Sequence, residues 1–181
     1  MSLEKQMISS CELKNHVRNI PDFPIPGILF RDITTVLKDP KALRGSIDAM
    51  VNLLGNLEYD AILGPESRGF IFGMPMAYNQ CKGFVPVRKA GKLPAEVVKR
   101  EYALEYGTAT IEIHRDAIVP GKRYIIADDL LATGGTAKAI ADLVTELGGV
   151  IVSTLFFIEL AGLGGRDVLA GYDVRSVLLY D

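Results

Sequence analysis

Apolar positions along the chain recur with two periods. Ile140, Leu143, Val144 and Leu147 follow the i, i+3, i+4, i+7 spacing of one helical face, and Gly148-Gly149 closes a helix predicted over Thr136–Leu147. Asp39-Pro40 places an N-cap acid before a proline at the first helical position, which predicts a helix running to about Leu54. Leu3, Met7 and Cys11 step by four and predict an amphipathic helix over Leu3–Val17; another is expected over Phe70–Asn79. Pro21, Pro24, Pro26 and Gly27 mark an extended loop between them. Short apolar runs at 61–64, 83–87, 123–127, 150–159 and 174–179 read as strands, as does Thr108–His114 with its alternating Thr, Ile and Glu. Strands separated by helices predict an α/β fold of parallel β-α-β units covered on both faces.

Composition narrows the function classes. At 181 residues the chain is expected to be one domain. Twenty Lys+Arg against 22 Asp+Glu leave a net charge of −2, which argues against a general polyanion binder, so no nucleic-acid partner is expected. The richest uncharged stretch, Val150–Ile158, is about half of the ~18 residues that a membrane span needs. The opening Met-Ser-Leu-Glu-Lys-Gln has no signal-peptide pattern, so a cytoplasmic location is expected. Cys11 and Cys81 lack CxxC spacing and read as reduced, partly buried thiols; His16 and His114 are isolated. Chemistry centred on histidine or zinc is therefore not expected. The near-zero net charge hides a basic segment: Lys82, Arg88, Lys89, Lys92, Lys99 and Arg100 face a single acid, Glu96, between positions 82 and 100. A solvated basic face is the alternative to an anion site there.

The stretch Tyr124-Ile125-Ile126-Ala127-Asp128-Asp129-Leu130-Leu131-Ala132-Thr133-Gly134-Gly135-Thr136 reads as strand, acid pair, small-residue loop and helix start. In open α/β sheets ligands bind at the carboxyl ends of strands, where this order puts two carboxylates and the loop. Ala132–Thr136 has almost no bulk, so its N–H groups can close round an anion at a helix N-terminus, with the Thr133 and Thr136 hydroxyls as further donors. Neither GxGxxG nor GxxxxGK[ST] occurs in the chain. Amides suit a phosphate and carboxylates suit hydroxyls or a metal, so a sugar phosphate satisfies both.

The acid pair followed by Ala-Thr-Gly-Gly-Thr resembles the phosphoribosyl-pyrophosphate motif of the type I phosphoribosyltransferases. Three more stretches resemble the adenine-using members of that family. They are Phe23–Asp32 with Leu37–Pro40 behind it, Glu66-Ser67-Arg68-Gly69-Phe70, and Arg88–Pro94 leading to Leu104-Glu105-Tyr106-Gly107. The resemblance runs in order from about Pro21 to the C-terminus. It implies a twisted, mostly parallel sheet flanked by helices, with a small hood built from the N-terminal segment (1–35) and part of the C-terminal region. The core, about 36–181, would carry a mobile lid at about 90–106.

The implied reaction joins adenine to 5-phosphoribosyl 1-pyrophosphate, releasing pyrophosphate and giving AMP. On that resemblance Ala132, Thr133, Gly134, Gly135 and Thr136 bind the 5′-phosphate, and Asp128 and Asp129 face the ribose. Glu66, Ser67, Arg68, Arg88, Lys89 and Lys92 serve the pyrophosphate, with a non-proline cis peptide at Glu66-Ser67. Main-chain groups of Leu29 and Arg31 read the adenine edge, Phe30 and Leu160 help enclose its ring, and Glu105 handles its proton. Mg²⁺ is implied, held mainly by substrate oxygens and water rather than by a side-chain cage, and so is a homodimer. The alternatives are an enzyme for an oxopurine, namely a xanthine or hypoxanthine-guanine phosphoribosyltransferase, and a ligand-sensing regulator of transcription. The ~20 residues before Pro21 are too few and too weakly basic for the nucleic-acid module such a regulator needs.

Overall fold

The computed structural model describes residues 8–103 and 107–181. Helix α1 (Ser10–His16) opens on a capping box: the Ser9 hydroxyl accepts the Glu12 N–H at 3.2 Å, and the Glu12 carboxylate accepts the Ser9 N–H at 2.8 Å. These bonds start the helix at Ser10, later than the Leu3 that the apolar spacing predicts. Positions 3–7 lie outside the described residues. Strands β1 (Arg18–Pro21) and β2 (Leu29–Asp32) pair antiparallel and confine the predicted loop to the residues between them. Helix α2 (Thr34–Lys38) leads into α3 (Pro40–Leu54), whose N-cap Asp39 accepts the Lys41 and Ala42 N–H groups at 3.0 and 2.8 Å.

The remaining elements are β3 (Ala61–Pro65), α4 (Arg68–Asn79), β4 (Gly83–Lys89), β5 (Val97–Ala103), β6 (Thr108–His114), β7 (Arg123–Leu131), α5 (Gly135–Glu146), β8 (Val150–Leu160), α6 (Gly165–Val168) and β9 (Val174–Tyr180). Seven strands form one sheet in the order β5-β6-β4-β3-β7-β8-β9. Strands β4, β3, β7, β8 and β9 run parallel, while β6 is antiparallel to both β4 and β5. This corrects the expectation that Thr108–His114 belongs to a β-α-β unit. Only four residues separate β5 from β6, and a parallel crossover takes a dozen or more.

Alternation along β7 explains why it reads as continuously apolar. Ile125 and Ala127 enter the core layer built with Met50, Phe72 and Phe157, whereas Tyr124 and Ile126 enter the layer built with Ile140, Leu143 and Val144. Phe72 of α4 stacks on Phe157 of β8 with ring centroids 5.2 Å apart. Cys11 and Cys81 are free but exposed, unlike the partly buried thiols expected, because each sits in or just after a helix end on the solvent side.

Behind the carboxyl ends of the last two strands lies a buried carboxylate that no sequence pattern marks. Glu159 is 2% exposed and accepts Arg166 Nε and Nη2 at 2.6 and 2.7 Å and the Ser176 hydroxyl at 2.6 Å. Arg166 also donates to the Val174 carbonyl at 3.0 Å, so the group ties α6 to β8 and β9. A fully buried pair broken on one side costs about 3–5 kcal/mol. The Arg166 side chain is 51% exposed, so solvent replaces much of its lost bonding. Glu159→Ala is therefore expected to lower stability by about 2 kcal/mol in urea unfolding. Hydrogen bonding from Arg166, then from Ser176, holds the Glu159 carboxyl below its ordinary pKa despite burial. The folded state thus binds this proton more weakly than the unfolded one, and the stabilisation, present at neutral pH, is lost as the pH falls through the carboxylate range. The Glu159→Gln variant should show a weaker loss of stability on acidification; an unchanged acid dependence would refute the role.

Candidate functional site

The carboxyl ends of β3, β4 and β7 border one cleft of about 170 Å³. At the end of β3 the Glu66-Ser67 peptide is cis, as the resemblance implies, and α4 begins at Arg68. A Cβ on Gly69 would come within 2.6 Å of the Pro65 ring and 3.0 Å of Asp128 Oδ1, so the helix start approaches β7 more closely than a side chain permits. That approach puts the Arg68 guanidinium at the acid pair, with Nε 3.1 Å from Asp129 Oδ2. Asp128 accepts the Asp129 N–H at 2.8 Å, and Asp129 is 3% exposed. Both acids lie within β7, which extends past the predicted Ala127 to Leu131.

Next to the acids the chain turns through Ala132–Gly134 into α5. Gly134 is the N-cap with φ +81°, and it offers the helix no side-chain cap, which leaves the first N–H groups of α5 open to an anion. A Cβ on Gly165 would fall 2.4 Å from the Ala132 carbonyl oxygen, and one on Gly134 would fall 2.7 Å from the Gly165 carbonyl oxygen. The α6 backbone therefore rests directly against the turn, held there by the Glu159–Arg166 pair.

Glu66, Ser67, Arg68, Arg88, Lys89, Asp128, Asp129 and Thr136 all line the cleft. The Glu66 carboxylate accepts Arg88 Nε at 2.5 Å and the Lys89 N–H at 3.1 Å. Burial raises its pKa, but Arg88 and that N–H outweigh burial and hold it low. Glu66 thus orients Arg88 and is itself neutralised. Lys92 does not line the cleft; its N–H and that of Leu93 each donate at 2.9 Å to Glu112, a carboxylate 1% exposed that also pairs with Lys99 at 3.4 Å.

Leu29, Phe30 and Arg31 lie on β2, outside this cleft. Arg31 stacks on the Tyr180 ring at 4.1 Å, and Tyr180 is the register partner of Leu160, which brings β2 and the end of β8 to one side of the sheet. Phe30 packs edge-on against Phe23 at 5.2 Å. Glu105 falls outside the described residues. Two residues with polar contacts at the site had no motif. Glu112 is hidden in a strand that reads as ordinary alternation. Tyr102 lines the cleft and accepts a hydrogen bond from the Thr136 hydroxyl at 3.1 Å; the alternation of Val98, Arg100 and Tyr102 is the signal that would have found its strand.

Charge in the cleft is partly compensated, by the Arg68–Asp129 and Arg88–Glu66 pairs. Burial first, then the Asp129 charge, pushes the Asp128 carboxyl well above its ordinary pKa. Burial also raises Asp129, against the opposing charge of Arg68. The two titrate as a pair that gives up its last proton reluctantly. A carboxyl with a raised native pKa binds its proton more tightly when folded, so its contribution to stability falls as the pH rises from the ordinary carboxylate range through the native pKa. Asp128→Asn is therefore expected to raise Tm by a few degrees at neutral pH and to flatten that decline, measured by thermal unfolding from pH 4 to 8. A lowered Tm at neutral pH would contradict the assignment.

A family model described as "Phosphoribosyl transferase domain" matches residues 32–177. An adenine phosphoribosyltransferase of Lachnoclostridium phytofermentans is 59% identical over 169 residues, covering 93% of this chain and 97% of its own. The crystal structure of an adenine phosphoribosyltransferase from Thermoanaerobacter pseudethanolicus superposes with a TM-score of 0.93 at 53% identity, covering 95% of this chain and all of the other (100%). The Saccharomyces cerevisiae enzyme, solved with an iminoaltritol bisphosphate and adenine, gives 0.88 at 40% identity, covering 93% and 98% of the two chains. With the acid pair, the open helix N-terminus and the basic wall already in one cleft, this chain belongs to the phosphoribosyltransferase family, among its adenine phosphoribosyltransferases.

Proposed function

We propose that the acid pair, the turn at the start of α5 and the basic wall of the cleft are the parts with which this adenine phosphoribosyltransferase works. The reaction transfers the phosphoribosyl group of 5-phosphoribosyl 1-pyrophosphate to adenine, giving AMP and pyrophosphate. The observation that carries the assignment of parts is that one cleft gathers both kinds of group, Asp128 and Asp129 from β7, Arg68 from the start of α4, and Arg88 and Lys89 from the end of β4. Breaking the bond at the anomeric carbon leaves positive charge on the ribose and negative charge on the departing pyrophosphate. Buried acids preorganised beside the ribose stabilise the first; the guanidinium and ammonium groups stabilise the second. Amides at 132–136 and the Thr133 and Thr136 hydroxyls anchor the 5′-phosphate, which fixes the ribose relative to both.

Leu29 and Arg31, two apart on β2, direct their main-chain groups to the same edge. Strand β2 pairs only with β1 among the described residues, which leaves main-chain donors and acceptors free to read adenine's amino edge. Phe30 and Leu160 supply apolar surface for the ring, and Glu105 exchanges its proton. Lys92 adds charge for the pyrophosphate from the turn that Glu112 secures. Asp128 and Asp129 offer hard oxygen donors, and no cluster of three His, Cys, Asp or Glu exists among the described residues. Hard oxygen donors of this kind would suit Mg²⁺ carried mainly by substrate oxygens and water. Bound there, the ion adds positive charge for the leaving pyrophosphate. Exposed, unpaired Cys11 and Cys81 suit a reducing, cytoplasmic setting. The exposed Met74 and Tyr78, four apart on α4, suit contact with a second copy in a homodimer.

The deciding assay supplies 5-phosphoribosyl 1-pyrophosphate and Mg²⁺ with adenine, hypoxanthine, guanine or xanthine separately and follows nucleotide formation. Adenine alone should give product; turnover of an oxopurine but not adenine would overturn the assignment of the base. Asp128→Asn and Asp129→Asn are each expected to cut kcat by orders of magnitude in folded protein. Replacing Arg88 and Lys89 together by Ala should weaken 5-phosphoribosyl 1-pyrophosphate far more than AMP, which has no pyrophosphate to contact. Equal losses for the two ligands would return these bases to the role of a solvated face.

A further inference from the structure

Strand β5 brings a second source of hydroxyl to the turn at the start of α5. Side chains two apart on a strand share a face, and Val98, Arg100 and Tyr102 point toward α5. Val98 is buried in the core layer that α5 builds. Arg100 reaches Glu146 at 2.9 Å and Asp142 at 3.8 Å, near the carboxyl end of the helix. Tyr102 reaches Thr136, in its first turn, at 3.1 Å. The strand therefore runs along α5 toward the helix N-terminus and delivers a phenol beside the uncapped N–H groups. Tyr102 lines the same cleft as Asp128, Asp129 and Arg88.

We propose that Tyr102 is a ligand of the 5′-phosphate, supplied to the 132–136 turn by β5. The inference rests on reading that turn as the 5′-phosphate site. Thr136 donates its hydroxyl to the phenol oxygen in this structure, and a phenol that accepts still has its own O–H to give. A phosphate oxygen that engages Thr136 comes within reach of the phenol bonded to it, and a neutral donor to a charged oxygen makes one of the stronger hydrogen bonds. The ring, half-buried and packed against the core, holds that donor in place without an entropic cost on binding. Each hydroxyl can turn from the other to the anion.

The test is calorimetric titration of the full chain with ribose 5-phosphate and, separately, with pyrophosphate and Mg²⁺. Tyr102→Phe keeps the ring and its packing and removes only the hydroxyl. It should weaken ribose 5-phosphate by about 10- to 100-fold and leave pyrophosphate unchanged. Thr136→Val, in the same titrations, tests the underlying reading of the turn. Loss of ribose 5-phosphate affinity in both variants supports the proposal. A loss in Thr136→Val with none in Tyr102→Phe overturns it and leaves the turn as the phosphate site. No loss in either variant refutes both. If Tyr102→Phe weakens the two ligands alike, the phenol acts only by docking β5, and the proposal fails.

Discussion

Two adjacent carboxylates held at the end of a buried strand form the constraint around which the site is arranged. Asp128 and Asp129 repel each other, and burial makes that repulsion more costly than it is in water. A single guanidinium, Arg68, offsets part of it from the first turn of α4. For Arg68 to stand there, α4 has to start hard against β7, which only a glycine at position 69 allows. The local geometry of the β3–α4 junction follows from where the acids are. The arrangement leaves the acid pair only partly compensated, which is wasteful for stability.

The turn beside the acid pair is supported from further away. The turn that opens α5 has no bulk and no cap of its own, so its shape is imposed by neighbours. The backbone of α6 presses against it through Gly165, and α6 is held by Arg166 on the buried Glu159, which also gathers Ser176 from β9. On the other wall Glu66 holds Arg88 and the Lys89 N–H, and Glu112 holds the turn that begins at Lys92. Three buried or half-buried acids thus position cations and amides around the cleft. A carboxylate that accepts several N–H groups stays ionised and stiff, and such fixed donors lose little entropy when a phosphate arrives.

Much of this was legible in the chain. Helix α3 begins and ends where Asp39-Pro40 and the apolar spacing put it, and the parallel strands coincide with the apolar runs, because strands covered on both faces must be apolar throughout. The acid pair and the small-residue turn announced their chemistry because residues adjacent in sequence supply it. What failed was local competition. Ser9 and Glu12 set the start of α1 through two hydrogen bonds that outweigh a loose apolar stripe, and the strands β1 and β2 are too short and too polar to show period-two alternation.

By itself the sequence determined α3, α5, the parallel strands, the acid pair, the small-residue turn and the family, since each rests on residues close together or on an ordered set of motifs. Tertiary structure alone decided that β6 runs antiparallel, that Glu66 serves Arg88, that Glu112 secures the turn at Lys92, and that Tyr102 meets Thr136 across 34 positions. The physical reason is common to all four. Each depends on a contact between segments distant in the chain, and the energy of such a contact comes from burial and geometry that exist only once the sheet has assembled.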